Sequence, residues 1–193
     1  MTWRQALARL RGQRGYSLVE MLVVLVVMGI VTTSLTTVFV AASNSEVDMN
    51  TRFQAQLNAR LALDVFRRDA HCASSVTLGP AGSPSGPLTA ISVTIVLPST
   101  CRSSGTVTWC AEGSGSRFGL YRGGTISGST CTGGTRYADY LTRPNLFDYT
   151  APSGGSGELP KVKIDLPVNV KPTKTVEGYE LQDNVVLKNG TRA

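Results

Sequence analysis

Hydrophobic positions change their spacing twice along this chain, and each change marks a new kind of element. Residues 18–42 (LVEMLVVLVVMGIVTTSLTTVFVAA) are almost continuously apolar. As a helix, these 25 residues reach roughly 37 Å at about 1.5 Å rise each. A bilayer core needs about 20 residues, so the segment is long enough to span one. From 46 to 71 the pattern turns amphipathic. Met49, Phe53, Leu57, Leu61 and Val65 recur every four residues, with Ala62 and Phe66 beside them. Arg52, Gln56, Arg60, Asp64 and Arg67 fill the other face. No proline or glycine interrupts residues 30–78, and Gly79-Pro80 closes the run. The pattern predicts one helix over about 17–75, hydrophobic all round in its first half and striped in its second.

Beyond residue 87 the period becomes two. Ile91, Val93, Ile95 and Leu97 alternate with smaller or polar neighbours. Strands are predicted at Thr106–Ala111 and Arg117–Arg122, joined by a hairpin turn at 113–116. GPAGSPSGP (79–87), the Gly/Ser/Thr-rich stretch 123–135 and APSGGSGELP (151–160) read as loops. Tyr137–Leu141 and Leu146–Tyr149 are ambiguous. Val162, Ile164, Leu166, Val168 and Val170 alternate over nine residues, a strand, and Tyr179–Leu187 supplies the last one. Strands in succession without helices between them imply an antiparallel sheet, and the fold class is α+β: a long N-terminal helix whose second half packs on a small antiparallel sheet. The chain divides into a basic leader (1–15), an apolar half-helix (16–42), an amphipathic half-helix (43–78) and a β-rich domain (79–193).

Charge sharpens the first boundary. The net charge is +6, but Arg4, Arg9, Arg11 and Arg14 precede every acidic residue, so residues 16–193 carry only +2. Cations ahead of an apolar span hold residues 1–15 in the cytoplasm and send the rest outward. A charge of +2 does not call for a nucleic-acid-binding surface. The four cysteines, Cys72, Cys101, Cys110 and Cys131, contain no C-x-x-C pair. An even count behind an export-like N-terminus reads as two disulfides rather than a zinc site. Three pairings exist; a local Cys101–Cys110 bridge, with Cys72–Cys131 tying the helix end to the later domain, is the one expected. His71, the single histidine, has no partner at a catalytic spacing, and Trp109 and Tyr121 read as core or cross-strand residues. No G-x-S-x-G, phosphate loop or metal-binding run appears, so no catalytic residue, metal or cofactor is expected, and neither is an enzyme.

The most informative stretch is Arg14-Gly15-Tyr16-Ser17-Leu18-Val19-Glu20, directly before the apolar run. It resembles the N-terminal signal of the type IV pilin and type II secretion pseudopilin superfamily: a basic leader, a glycine, an aromatic residue, a small hydroxyl residue, two aliphatics and a glutamate, then a membrane helix. The resemblance implies cleavage by a prepilin peptidase between Gly15 and Tyr16, N-methylation of Tyr16, and use of Glu20 in assembly. The implied partners are other pilin or pseudopilin subunits and an assembly-platform membrane protein, with the membrane holding the chain beforehand. The implied location is the cytoplasmic membrane with the C-terminal domain outside, then a fibre. No proline interrupts the apolar helix, which favours a minor subunit over a major one. LALDVFRRDA (61–70), VTWCAE (107–112), FGLYRG (118–123) and VVLKNG (185–190) are similar to J/W-type minor subunits, which implies a fibre-tip role.

Three other readings compete. Val40-Ala41-Ala42 fits a secretory cleavage site before Ser43, although the apolar region is longer than the usual 7–15 residues and contains Glu20. A permanently anchored protein needs only the apolar length. A binding role for the β-rich domain, in surface adhesion or DNA uptake, needs a basic cluster, and Lys161, Lys163, Lys171 and Lys174 are the candidates.

Overall fold

The computed structural model describes residues 16–80, 88–101, 104–152, 158–173 and 178–190. The leader with Gly15, the body of the 79–87 loop and Lys174 lie outside the described residues. The chain divides into two compact units, one ending at Asp48 and one beginning at Met49. A single helix, α1 (Leu18–Cys72), contributes to both.

In the first unit every apolar side chain of α1 is exposed, Leu18, Leu25, Ile30 and Phe39 among them. The threonines in this stretch satisfy their hydroxyls within the helix. Thr32 Oγ1 donates to the Met28 carbonyl at 2.8 Å, Thr33 to Gly29 at 2.7 Å and Thr36 to Thr32 at 2.8 Å. A hydroxyl paired in this way enters lipid without an unmet donor.

In the second unit, α1 packs on one face of an eight-stranded sheet. The strands are β1 (Ser75–Leu78), β2 (Ser92–Leu97), β3 (Gly105–Ser114), β4 (Arg117–Arg122), β7 (Thr135–Leu141), β8 (Phe147–Thr150), β9 (Lys161–Val168) and β10 (Tyr179–Val186). They run in the order β1-β2-β3-β4-β7-β9-β10, with all pairs antiparallel. β7 meets β9 only at Leu141↔Val168, and β8 pairs with the remainder of that edge from Phe147↔Ile164 to Thr150↔Lys161. The sheet is larger than the sequence suggested, because β1 follows directly on the helix end and the two ambiguous stretches are strands.

The stretch 123–135, expected as a loop, holds a hairpin of β5 (Thr125–Ser127) and β6 (Thr130–Thr132). It uses the same turn chemistry as the β3–β4 hairpin. Each connection is a Gly-Ser pair whose glycine has positive φ: Gly115 at 65° and Gly128 at 60°. That conformation at the first turn position is open mainly to glycine.

The helix packs on the sheet through only part of the expected apolar face: Ala62 and Phe66 are buried and Val65 is half-buried against the core, while the earlier large residues of the stripe are not covered. The buried positions are Ala55, Ala59, Ala62, Leu63, Phe66 and Ala70. Met49, Phe53 and Leu61 are 68%, 60% and 60% exposed, and Leu57 is exposed too. At about 100° per residue, Phe53 and Leu57 lie roughly opposite Ala55 and Ala59. These alanines share one core with Val93, Ile95, Ile164 and Leu166, and Phe66 packs in it with ring centroids 5.7 Å from both Trp109 and Phe147. Two residues assigned to the solvent face, Arg60 and Arg67, instead bond to the edge strand β10. Arg67 Nε donates to Asp183 Oδ2 at 2.5 Å, and Arg60 Nη2 donates to the Tyr179 hydroxyl at 3.2 Å.

The disulfides are Cys72–Cys101 and Cys110–Cys131, which corrects the expected pairing. The β2–β3 register is the reason. Ser92 opposes Cys110 while Leu97 opposes Gly105, so Cys110 sits well inside the hairpin and Cys101 at its tip. The tip is next to the helix end, because Ser75 of β1 opposes Val96 of β2. Cys110 follows the inward-facing Trp109 and so points to the opposite face of the sheet. There Cys131 of β6 meets it. A Cβ on Gly124 would lie 2.7 and 2.9 Å from the two sulfurs, so only glycine fits beside this bridge.

Candidate functional site

The N-terminal site is built on the first turn of α1. Ser17 is the cap: its carbonyl accepts the first helical bond, from Met21 N at 3.1 Å. Glu20 follows three residues later, giving the S-x-x-E spacing of a capping box. Tyr16 and Glu20 are both exposed. A carboxylate near a helix N-terminus gains about 0.3–1 kcal/mol from the helix dipole. Burying it in lipid costs about 2.5–3.5 kcal/mol at a helix centre and less toward the interface. At the larger cost the dipole does not suffice, and a cation from elsewhere is needed. Val40-Ala41-Ala42, the competing cleavage site, lies in the interior of the continuous helix.

At the other end of α1, residues far apart in sequence meet. Asp69, 8% exposed, accepts from Trp109 Nε1 at 2.9 Å and from Arg122 Nε and Nη2 at 2.8 and 3.2 Å. Trp109 and Arg122 are direct cross-strand partners, so one carboxylate closes over the β3–β4 pair. Bonding to Asp69 raises the Arg122 pKa. His71 takes the structural role expected of it: Nδ1 donates to the Val186 carbonyl at 2.9 Å, and its own carbonyl accepts from Lys188 N at 3.3 Å. Asn189 Nδ2 donates to the Cys72 carbonyl at 2.9 Å, so the helix end carries side-chain, backbone and disulfide ties. The sequence reading missed the role of Asp69. Its one signal was that Asp69 follows Phe66 by three residues and therefore shares its face.

A second buried carboxylate, Asp165 on β9, is fully buried and paired with Arg143, which also donates to Glu180 at 2.9 Å. Gln182 Nε2 donates to Asp165 Oδ2 at 3.3 Å. Burial, then the bond with Glu180, lifts the Asp165 pKa to about 6, against the opposing pull of Arg143 and Lys163. The same bond holds the Glu180 pKa below its usual value. The folded state thus keeps a proton on Asp165 after the unfolded chain has lost it. The resulting stability is complete below about pH 4 and is lost as pH rises through about 6. Asp165→Asn removes that loss. Its melting temperature relative to the parent should climb between pH 4 and 7, by less than the Asp165 shift alone implies, because the variant also loses the opposing contribution of the lowered Glu180 pKa. Melting both proteins across that range tests it, and parallel profiles would assign no such role to Asp165.

The lysine cluster does not form a patch of one sign. Lys163 opposes Asp148 across β8–β9, Asp165 follows it on the same face, and Lys161 pairs with Glu158 at 3.8 Å. Among the described residues, no three His, Cys, Asp or Glu side chains gather as a metal site.

With this geometry in hand, residues 10–36 match the prokaryotic N-terminal methylation motif. No curated protein and no solved structure gave a match. Among the described residues one helix is long and apolar enough to cross a membrane, and the motif runs into its first half, the arrangement of a membrane-anchored chain with a prepilin-type N-terminus. The motif is consistent with a pilin- or pseudopilin-type N-terminus, and the helix-on-sheet architecture is pilin-like.

Proposed function

We propose that this chain is a prepilin-like structural subunit. In this reading a prepilin peptidase cuts it between Gly15 and Tyr16, Tyr16 is N-methylated, and the mature chain joins a pilus or pseudopilus as a minor or tip subunit. The observation that carries the reading is the methylation motif over residues 10–36, which spans the cleavage residues and Glu20 and runs into the apolar helix. Two disulfides in the β-rich domain agree with an extracytoplasmic location. Three of the four segments similar to J/W-type minor subunits meet at Asp69, which accepts from Trp109 and from Arg122, and Val186 of the fourth bonds to His71, just after the first segment. Mass spectrometry of membrane-extracted protein tests the processing. The expected N-terminus is methylated Tyr16; a start at Ser43 or Met1 would replace this reading with a secreted or permanently anchored protein.

The exposed stripe Met49, Phe53, Leu57, Leu61 separates a fibre subunit from an anchor. It continues past the apolar stretch that ends at Ala42, and the sheet does not cover it. A row of large apolar groups left in water marks a protein contact. Phe53→Ser with Leu57→Ser should leave the melting temperature nearly unchanged, within about 0.5 kcal/mol per site, while abolishing co-purification with the other prepilins. Ala59→Leu should do the reverse of the first effect and destabilise the domain by about 1–3 kcal/mol through overpacking. Normal co-assembly of the double serine variant would leave the stripe without a role.

A further inference from the structure

Beside the Asp69 network the helix leaves part of the sheet uncovered, and a cleft of about 440 Å³ opens there. Ligand pockets occupy about 300–1,000 Å³. Its apolar walls come from three elements: Val65 on α1, Leu97 on β2 and Tyr137 on β7. The Cys72–Cys101 bridge forms a further wall and fixes the helix end to the β2–β3 tip covalently, so the cleft is preformed. Among the described residues the charged lining is Arg68, Arg122 and Asp69. Asp69 is saturated by Trp109 and Arg122, which leaves the lining with one excess positive charge, on Arg68. Arg68 is exposed, and its Nε donates to the Asp64 carbonyl at 3.3 Å.

We infer that this cleft is a docking site for a protein partner that presents one carboxylate side chain among aliphatic neighbours. The complementarity is the argument. One excess cation suits one carboxylate, and apolar walls on three elements suit aliphatic groups on more than one side of it. A polyanion would find too little charge, and a neutral apolar segment would desolvate Arg68 without compensation. The site lies apart from the N-terminal motif, so it stands or falls separately from the fibre reading.

The test uses the full chain in detergent with Trp3→Phe, which leaves Trp109 as its only indole. Trp109 reports on the cleft because its ring lies 5.2 Å from Tyr137 and its Nε1 bonds to Asp69. The probes are acetyl-Leu-Glu-Leu-amide, its Gln counterpart and octanoate. The Glu peptide should change Trp109 emission saturably and bind at least about tenfold tighter than the Gln peptide, about 1.4 kcal/mol. Arg68→Ala should reduce the Glu peptide to the Gln level without moving the melting temperature, and Arg68→Lys should restore part of the difference. Equal binding of the two peptides, no saturable response to either, or indifference to Arg68→Ala would overturn the inference. Octanoate binding as tightly as the Glu peptide would overturn the assignment to a protein partner.

Discussion

Glu20→Leu should leave the chain inserted and cleaved after Gly15 yet exclude it from the assembly. Insertion depends on apolar length, and removing the carboxylate removes a burial cost, so an anchor would be unharmed or improved. An assembling subunit is different. In the proposed reading cleavage leaves an amine at the new N-terminus, Tyr16 in this chain, and Glu20 is the acid in the first turn of α1. When such a helix leaves lipid for an apolar fibre core, the carboxylate of one subunit and the amine of its neighbour are shielded from water together. Removing one member of a buried pair costs about 3–5 kcal/mol. At about 1.4 kcal/mol per tenfold, incorporation should fall by two or more orders of magnitude. The measurement is co-purification of the Leu variant with the other prepilins, beside a cleavage assay on the same cells. Normal co-purification of a cleaved Leu variant would remove Glu20 from assembly.

The second large effect is on folding. Asp69→Ala leaves the Arg122 guanidinium partly buried without its counter-ion and the Trp109 indole N–H without its acceptor. The expected destabilisation is about 3–5 kcal/mol, a fall of about 10–15 °C in the melting temperature for a domain of this size. Asp69→Asn keeps a carbonyl acceptor for one of the donors and should lose less. Pairing Asp69→Ala with Arg122→Met should recover part of the loss, because the stranded charge is gone. Thermal melts of these variants in detergent form the test. A fall of under about 3 °C for Asp69→Ala would mean that the network contributes little to stability.

Elements whose period was unbroken could be read from the chain alone. The helix was expected over 17–75 and runs from Leu18 to Cys72; the strand at Arg117–Arg122 has those bounds. The N-terminal site was legible because its chemistry is local: cap, glutamate and apolar run are consecutive. What escaped the sequence depended on choices between faces. A four-residue stripe of large side chains looks like a core face, yet Met49, Phe53, Leu57 and Leu61 stay exposed while the small Ala55 and Ala59 are buried with the expected Ala62 and Phe66. The cysteine pairing escaped for a related reason, since it follows from strand register, which residue spacing does not encode. The roles of Asp69 and Asp165 were not legible because their partners, Arg122 and Arg143, are 53 and 22 residues away.

The order of the two bridges has a consequence for synthesis. Cys72 joins Cys101 and Cys110 joins Cys131, so each cysteine pairs with its neighbour in the chain. The covalent loops are laid end to end, neither enclosing nor threading the other. As the polypeptide emerges from its N-terminal end, the first loop is complete before the third cysteine appears. Oxidation in simple order of emergence therefore yields the native pairing, and an oxidase that joins successive thiols suffices without a reshuffling step. A nested arrangement would have left Cys72 waiting for Cys131 while nearer partners passed by.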